Sequence, residues 1–273
     1  MSTTSVTAQL PARRTGTLRR PRLVNAELLK LRRRRGLIGA AAALAVLPMV
    51  IAYIVLLSVH AANPVKHGPA GGLGNFTDSM DVLTTLSGVA AILIGATLGA
   101  GDLSSGVFRE LVVTGRSRLA LFAARIPAGL LIVWTVAGLG FSITGVASHL
   151  FAGRLDAPSS TLLVEAAGWL ALATGLSLVL ALGLSSLFGS RGTTIAVVLG
   201  WQLVAAPLLL QIKALGSLRE ALLGSALQRV EPAALFKGGT TVPMSLGVAL
   251  GVLVLWTLLP LALGAWRTAT RDA

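Results

Sequence analysis

The sequence predicts an all-α, polytopic membrane protein with six transmembrane helices. Three observations predict it. Of 273 residues, 54% are hydrophobic and 12% are charged, against about 25% charged in an ordinary soluble domain, so there is too little polar side chain to clothe a water-facing surface. Six apolar stretches reach the roughly 20 residues a helix needs to cross hydrocarbon: Leu37 to Val59, Val82 to Ala100, Ile126 to Phe151, Ala166 to Phe188, Thr193 to Ile212 and Met244 to Trp266. The lysines and arginines, finally, divide unevenly between the loops these spans define.

That division orients the chain. An even number of spans puts both termini on one side, with the loops holding Arg109 and Arg191. This face carries seventeen Lys and Arg residues against six on the other: Lys66, Arg154, Lys213, Arg219, Arg229 and Lys237. The positive-inside bias then predicts cytoplasmic termini in a bacterial inner membrane.

Residues 1–21 are rich in Ser, Thr, Pro and Arg without apolar periodicity and read as a disordered basic tail that lies on anionic lipid. In residues 22–36, Val24, Leu28 and Leu31 are expected on one helical face and Glu27, Lys30 and Arg34 on the other, the pattern of an interfacial amphipathic helix. The first apolar stretch is about twice the apolar core of a signal peptide, so no cleavage is expected. The spans and their loops occupy residues 37–267, and residues 268–273 form a short cytoplasmic tail. Between the last two spans, residues 213–243 exceed a hairpin loop; Leu218, Leu222 and Leu223 alternate with Arg219, Glu220 and Gln228, predicting short helices over the outer mouth. The stretch from His60 to Asp81 holds Asn63-Pro64, His67-Gly68-Pro69 and Gly71-Gly72 and reads as a loop without a core.

Several chemistries find no support. With no cysteine, neither disulfides nor thiolate metal sites can form. The net charge of +13 lies outside the apolar stretches without aromatic interleaving, which argues against nucleic acid. No Gly-x-x-x-x-Gly-Lys-Ser/Thr loop is present to cradle ATP phosphates, and Leu103-Ser104-Ser105-Gly106 is only a chance likeness to an ATPase signature. His60 and His67 have no carboxylate cluster beside them to complete a metal site. The few acids are scattered over opposite faces, which leaves no serine–histidine–acid constellation.

Within the spans, the central thirds hold no ionisable residue, whereas ion-coupled carriers place such groups at the midplane. Gln202 is the most polar side chain deep in the membrane; its amide needs a partner, more readily an interhelical hydrogen bond than a substrate. Thr84, Thr85 and Ser87, with Ser142, Thr144, Thr174 and Ser177, read chiefly as packing residues bonded to their own backbone. With Gln202, Thr84 and Thr85 are the candidates for a translocation path. Gly95-x-x-x-Gly99 and Gly247-x-x-x-Gly251 supply faces for close helix approach, within the chain or in a dimer. Pro48, Pro207 and Pro260 each remove one backbone bond inside a span.

After the second span the chain reads GDLSSGVFRELVVTGRSRLALFAAR: a short helix from about Gly106 to Val113, a Thr114-Gly115 stop, and Ser117 capping the next helix. The sequence of Asp102, Gly106, Arg109, Gly115, Ser117-Arg118 and Ala124-Arg125 resembles the coupling-helix region of ABC-2-type permeases, and NAELLKLRRRRG resembles that family's interfacial helix. Asp102 and Gly115 stand where the family often has Glu and Pro. The resemblance extends over nearly the whole chain.

What the resemblance implies is a permease subunit of a bacterial exporter, paired with a second copy or a homologous permease and bound to two cytoplasmic ABC ATPases. ATP and Mg would sit on those partners; the chain itself holds no cofactor and is not an enzyme. Glu27, Lys30, Arg34, Asp102, Arg109, Glu110, Gly115, Arg116, Ser117 and Arg118 would carry ATPase coupling. A lining short of charge fits amphiphilic or hydrophobic cargo. Two other readings remain: an ATP-independent secondary transporter, and a non-transporting membrane subunit that assembles or regulates another complex.

Overall fold

The computed structural model describes residues 20–104, 117–235 and 242–270, and every regular element among them is helical. In order they are α1 (Arg20–Arg33), α2 (Arg35–Ala62), α3 (Leu73–Ser104), α4 (Arg118–Leu150), α5 (Ser160–Phe188), α6 (Arg191–Gln211), α7 (Leu223–Val230) and α8 (Leu246–Thr270). Six of these, α2 to α6 and α8, are long and apolar enough to cross a bilayer, and the chain is a multi-pass membrane protein. The tail over residues 1–19, the helix expected from Gly106 to Val113, and Lys237 lie outside the described residues.

Local chemistry sets the helix ends. Ser159 accepts a hydrogen bond from Leu162 N at 3.2 Å to start α5, and Gly189 ends it in the left-handed region at φ 72°, where a side chain would be strained. Ser190 accepts from Thr193 N at 3.4 Å to start α6. At its far end, Arg219 Nη1 donates to the Leu210 carbonyl at 3.2 Å, satisfying one of the acceptors a helix terminus leaves over.

The centre of the bundle is the parallel pair α3 and α5. A Cβ on Gly95 would strike the Leu178 carbonyl, and one on Gly99 would come within 2.5 Å of the Leu182 carbonyl and 2.7 Å of Ser185 Cβ. The Gly95-x-x-x-Gly99 face is therefore used within the chain. Gly247 and Gly251 face open space instead, with no neighbour closer than 4.0 Å. Ser185 Oγ donates to the Ala96 carbonyl at 2.6 Å and Ser186 Oγ to the Gly99 carbonyl at 3.3 Å, which adds two interhelical hydrogen bonds at the same contact.

The other spans dress this pair. α4 runs antiparallel to α3, with Gly129 against Leu98 and Gly140 against Leu83 and the Ala45 carbonyl of α2. Tyr53 of α2 donates to the Thr144 carbonyl at 3.2 Å and lies 2.5 Å from Ser148 Oγ, all buried. α8 leans on α5 where Gly183 meets Gly264 and the backbone of Pro260. Few residues of α2, α6 and α8 are buried, whereas most of α3 and α5 is, so the outer helices present apolar faces to lipid or to other chains.

Three expectations are corrected. The stretch before Asp81 is not a coreless loop: α3 begins at Leu73, and Phe76 and Met80, one helical turn apart, are buried. Phe76 meets Phe141 edge-to-face at 6.3 Å. The breakers act only up to Gly72, whose φ is 90°; there Gly71 N donates to the Phe151 carbonyl at 2.8 Å and Gly72 N to Ser148 at 2.8 Å. In α1, Glu27 is not on a solvent face but buried at 5% exposure, as is Leu31 one turn on, and α1 packs on α4. In the segment after α6, a 3-10 helix (Lys213–Ala221) and α7 are present, but Leu218 is exposed while Leu222 and Leu223 are buried.

The α3–α5 contact yields a direct expectation. Gly95→Leu forces apart two backbones and destabilises by about 1–3 kcal/mol or more, whereas Gly251→Leu, which meets open space, is close to neutral. Thermal unfolding of both variants in detergent checks this; equal melting would refute the placement of the helix contact.

Candidate functional site

A cavity of about 210 Å³ opens between α3, α5, α6 and α7. It brings together the three residues expected on a translocation path, Thr84, Thr85 and Gln202, and adds Ser177 and Trp201 among otherwise apolar walls. Gln202 was expected to satisfy its amide on a neighbouring helix. It forms no such bond among the described residues and lines the cavity instead.

The winding of α6 explains why. Over Gly200–Ala205 the helix is a π-helix, and Ala206 N donates to the Trp201 carbonyl. Pro207 follows with no N–H to offer, and its ring is incompatible with a regular bond geometry around the carbonyl four residues back. A wider turn at that point accommodates the proline, and such turns interrupt the regular progression of side chains around a helix. Trp201 stacks on Trp256 of α8, with ring centroids 6.1 Å apart and an interplanar angle of 28°. Trp256 Nε1 in turn donates to the Ala221 carbonyl at 2.9 Å. The irregular turn is thus held against α8, and α8 against the short segment after α6.

A second cavity, of about 170 Å³, adjoins the first through Thr84 and Thr85. Its remaining walls are Thr77, Met80, Asp81, Trp169, Glu231 and Leu235. Burial raises the Glu231 carboxyl above its usual range, and the neighbouring Asp81 carboxylate raises it further. Neither acid forms an ion pair among the described residues. Sequence reasoning missed this pairing because Asp81 closes a supposed loop and Glu231 lies 150 positions further along the chain; only folding brings them to one cavity.

At the end of the bundle that carries α1, the expected coupling residues have mixed outcomes. Lys30 Nζ pairs with Glu27 Oε1 at 2.7 Å, so these two engage each other. Arg34 is the break between α1 and α2, with φ −82° and ψ 66°, and its guanidinium lies over Gly101, whose Cβ would sit 3.1 Å from Nη2. Asp102 continues the backbone of α3. Ser117 stands at the start of α4 without the side-chain cap expected of it. Arg118 Nη1 donates to the Ala269 carbonyl at 3.3 Å. Arg109, Glu110, Gly115 and Arg116 lie outside the described residues. Arg125, which in the sequence entered the charge count and closed the coupling-region pattern, is 2% exposed and donates to the Gly99 carbonyl at 3.4 Å.

The acid pair carries a pH expectation. A carboxyl whose value is raised by folding binds its proton more tightly in the folded chain, so the wild type loses stability as pH rises from the ordinary carboxylate range through the raised value. Glu231→Gln removes that term. It should melt higher than wild type at neutral pH, with the gain vanishing below about pH 4; a variant that melts lower at neutral pH would contradict the cost of ionising Glu231 where burial, and then Asp81, oppose its charge. No family model matches this chain, and no curated protein matches it.

Proposed function

We propose that this chain is the permease subunit of an ABC-2-type exporter, forming a transmembrane path for an amphiphilic or hydrophobic substrate while ATP is hydrolysed on a separate subunit. The observation that carries the reading is the cavity formed by Thr84, Thr85 and Gln202 at a π turn in α6. It offers a few polar groups on mostly apolar walls, which suits an amphiphile better than an inorganic ion. The same α6 has a largely exposed surface, room for the second permease that an exporter of this type would need to enclose its path.

The basic distribution supports cytoplasmic termini and a docking role for the loop between α3 and α4. In the proposed complex, Arg109, Glu110 and Arg116 engage the ATPase, and closure of the ATPases is transmitted through that loop. The chain supplies no nucleotide site; two ATPase copies hold ATP and Mg. Lipid surrounds the exposed faces of α2 and α8.

A second reading, an ATP-independent carrier, is favoured by one observation: Asp81 and Glu231 share a cavity, and paired carboxylates can exchange protons or cations. The two readings part in a single experiment. Gentle solubilisation from the native membrane should yield a stoichiometric ATPase, and Arg109→Ala with Glu110→Ala should cut ATP-dependent efflux about tenfold or more, since loss of docking charges costs roughly 2 kcal/mol or above. Undiminished transport in the absence of any ATPase would establish the carrier instead.

A further inference from the structure

The two joined cavities suggest what the substrate looks like. We infer that together they form a binding site for a hydrophobic organic cation, whose positive head sits by Asp81 and Glu231 and whose apolar body passes Thr84 and Thr85 to lie against Trp201, Leu223 and Leu227. The inference deepens the proposed function by naming the substrate class of that path.

Charge is the first ground. Two carboxylates share one cavity, and no basic side chain among the described residues pairs with either. Two like charges held together disfavour each other's ionised form, and burial of Glu231 adds to that cost. A cation between them relieves both terms.

The remaining walls decide what kind of cation. Calcium and magnesium are bound by shells made of oxygen throughout. This cavity offers two carboxylates and the hydroxyls of Thr77, Thr84 and Thr85, with Met80, Trp169 and Leu235 completing it. No group of three metal-ligating side chains occurs among the described residues. An indole and two aliphatic walls suit a bulky, weakly hydrated cation, since an aromatic face attracts such a charge when water is excluded.

Continuity supplies the amphiphilic character. Thr84 and Thr85 are the boundary shared by both cavities. On one side the walls are acidic; on the other they are Ala173, Leu210, Leu223, Leu227 and the Trp201 ring, with Ser177, Gln202 and the Trp201 N–H as further polar groups. A ligand spanning the boundary places charge and apolar body each in matching surroundings. An anion of the same shape meets two carboxylates and is repelled.

The test uses the full chain, purified alone into lipid nanodiscs, and two probes of matched shape and opposite charge. Equilibrium dialysis against radiolabelled tetraphenylphosphonium and tetraphenylborate, corrected for empty nanodiscs, should show saturable binding of the cation only. Asp81→Asn combined with Glu231→Gln should weaken that binding tenfold or more, while Glu220→Gln, a carboxylate outside both cavities, leaves it unchanged. Equal binding of both ions, equal affinity in the double variant, or displacement of the cation by low calcium or magnesium would overturn the inference. Because no ATPase is present, the result separates from the exporter reading: absent cation binding beside a co-purifying ATPase removes only the substrate class, and cation binding without any ATPase partner removes only the exporter.

Discussion

The structure depends first on the close approach of α3 and α5. In lipid, packing two helices gains little from the hydrophobic effect, because acyl chains are as apolar as the side chains they displace. What remains is dispersion at short range and hydrogen bonds between polar groups that have no water to turn to. Gly95 and Gly99 permit the first, and Ser185 and Ser186 supply the second at the same level. With this pair fixed, α8 rests on α5 at Gly183, and α4 brings its own Gly129 and Gly140 against Leu98 and Leu83 of α3. α2 and α6, like α8 itself, are little enclosed and lie at the periphery.

Against that rigid pair, α6 is the irregular element. It meets α3 and α5 through a short buried stretch around Thr194 and Val198 and then widens into the π turn before Pro207. A regular helix at this place would keep its backbone bonds uniform and its side chains in register. The proline prevents that, and the resulting gap is bounded by Gln202 and Trp201 on one side and Thr84 and Thr85 on the other. The cavity is therefore a consequence of one residue without an N–H, set opposite two threonines on one of the two most buried helices of the bundle.

Much of this was legible in the sequence because lipid imposes simple rules. Twenty apolar residues make a span, and six such runs correspond to the six long helices found. Gly95 and Gly99 announced a close contact, and Thr84, Thr85 and Gln202 were singled out before their convergence was visible. The failures arise where tertiary partners overrule local pattern. Gly and Pro between Asn63 and Gly72 suggested a loop up to Asp81, but the need to bury Phe76 and Met80 against α4 begins α3 at Leu73. Helical-wheel logic placed Glu27 in water, yet packing on α4 buries it and Lys30 balances its charge. The meeting of Gly183 with Gly264, and of Asp81 with Glu231, had no local signal at all.

One helix links the two ends of the proposed exporter. At its Ser104 end, α3 leads into the loop to which ATPase docking is assigned, and there the Gly99 carbonyl accepts from both Ser186 and Arg125. That carbonyl joins α3 to α5 and to the start of α4, so a pull on the loop cannot unwind α3 alone without breaking buried polar contacts that lipid will not replace. In the proposed exporter, such a displacement would be passed along α3 as a rigid body. Thr84 and Thr85 lie roughly 20 Å away on the same rod, at 1.5 Å per residue, and Asp81 one turn beyond. In the proposed exporter, a small tilt at the docking end would move the polar wall of the cavity relative to the π turn of α6, the kind of interruption at which helices bend. The proposed exporter would thus set a regular, buried helix and an irregular one as facing walls of one cavity, an arrangement suited to alternating exposure of an amphiphile.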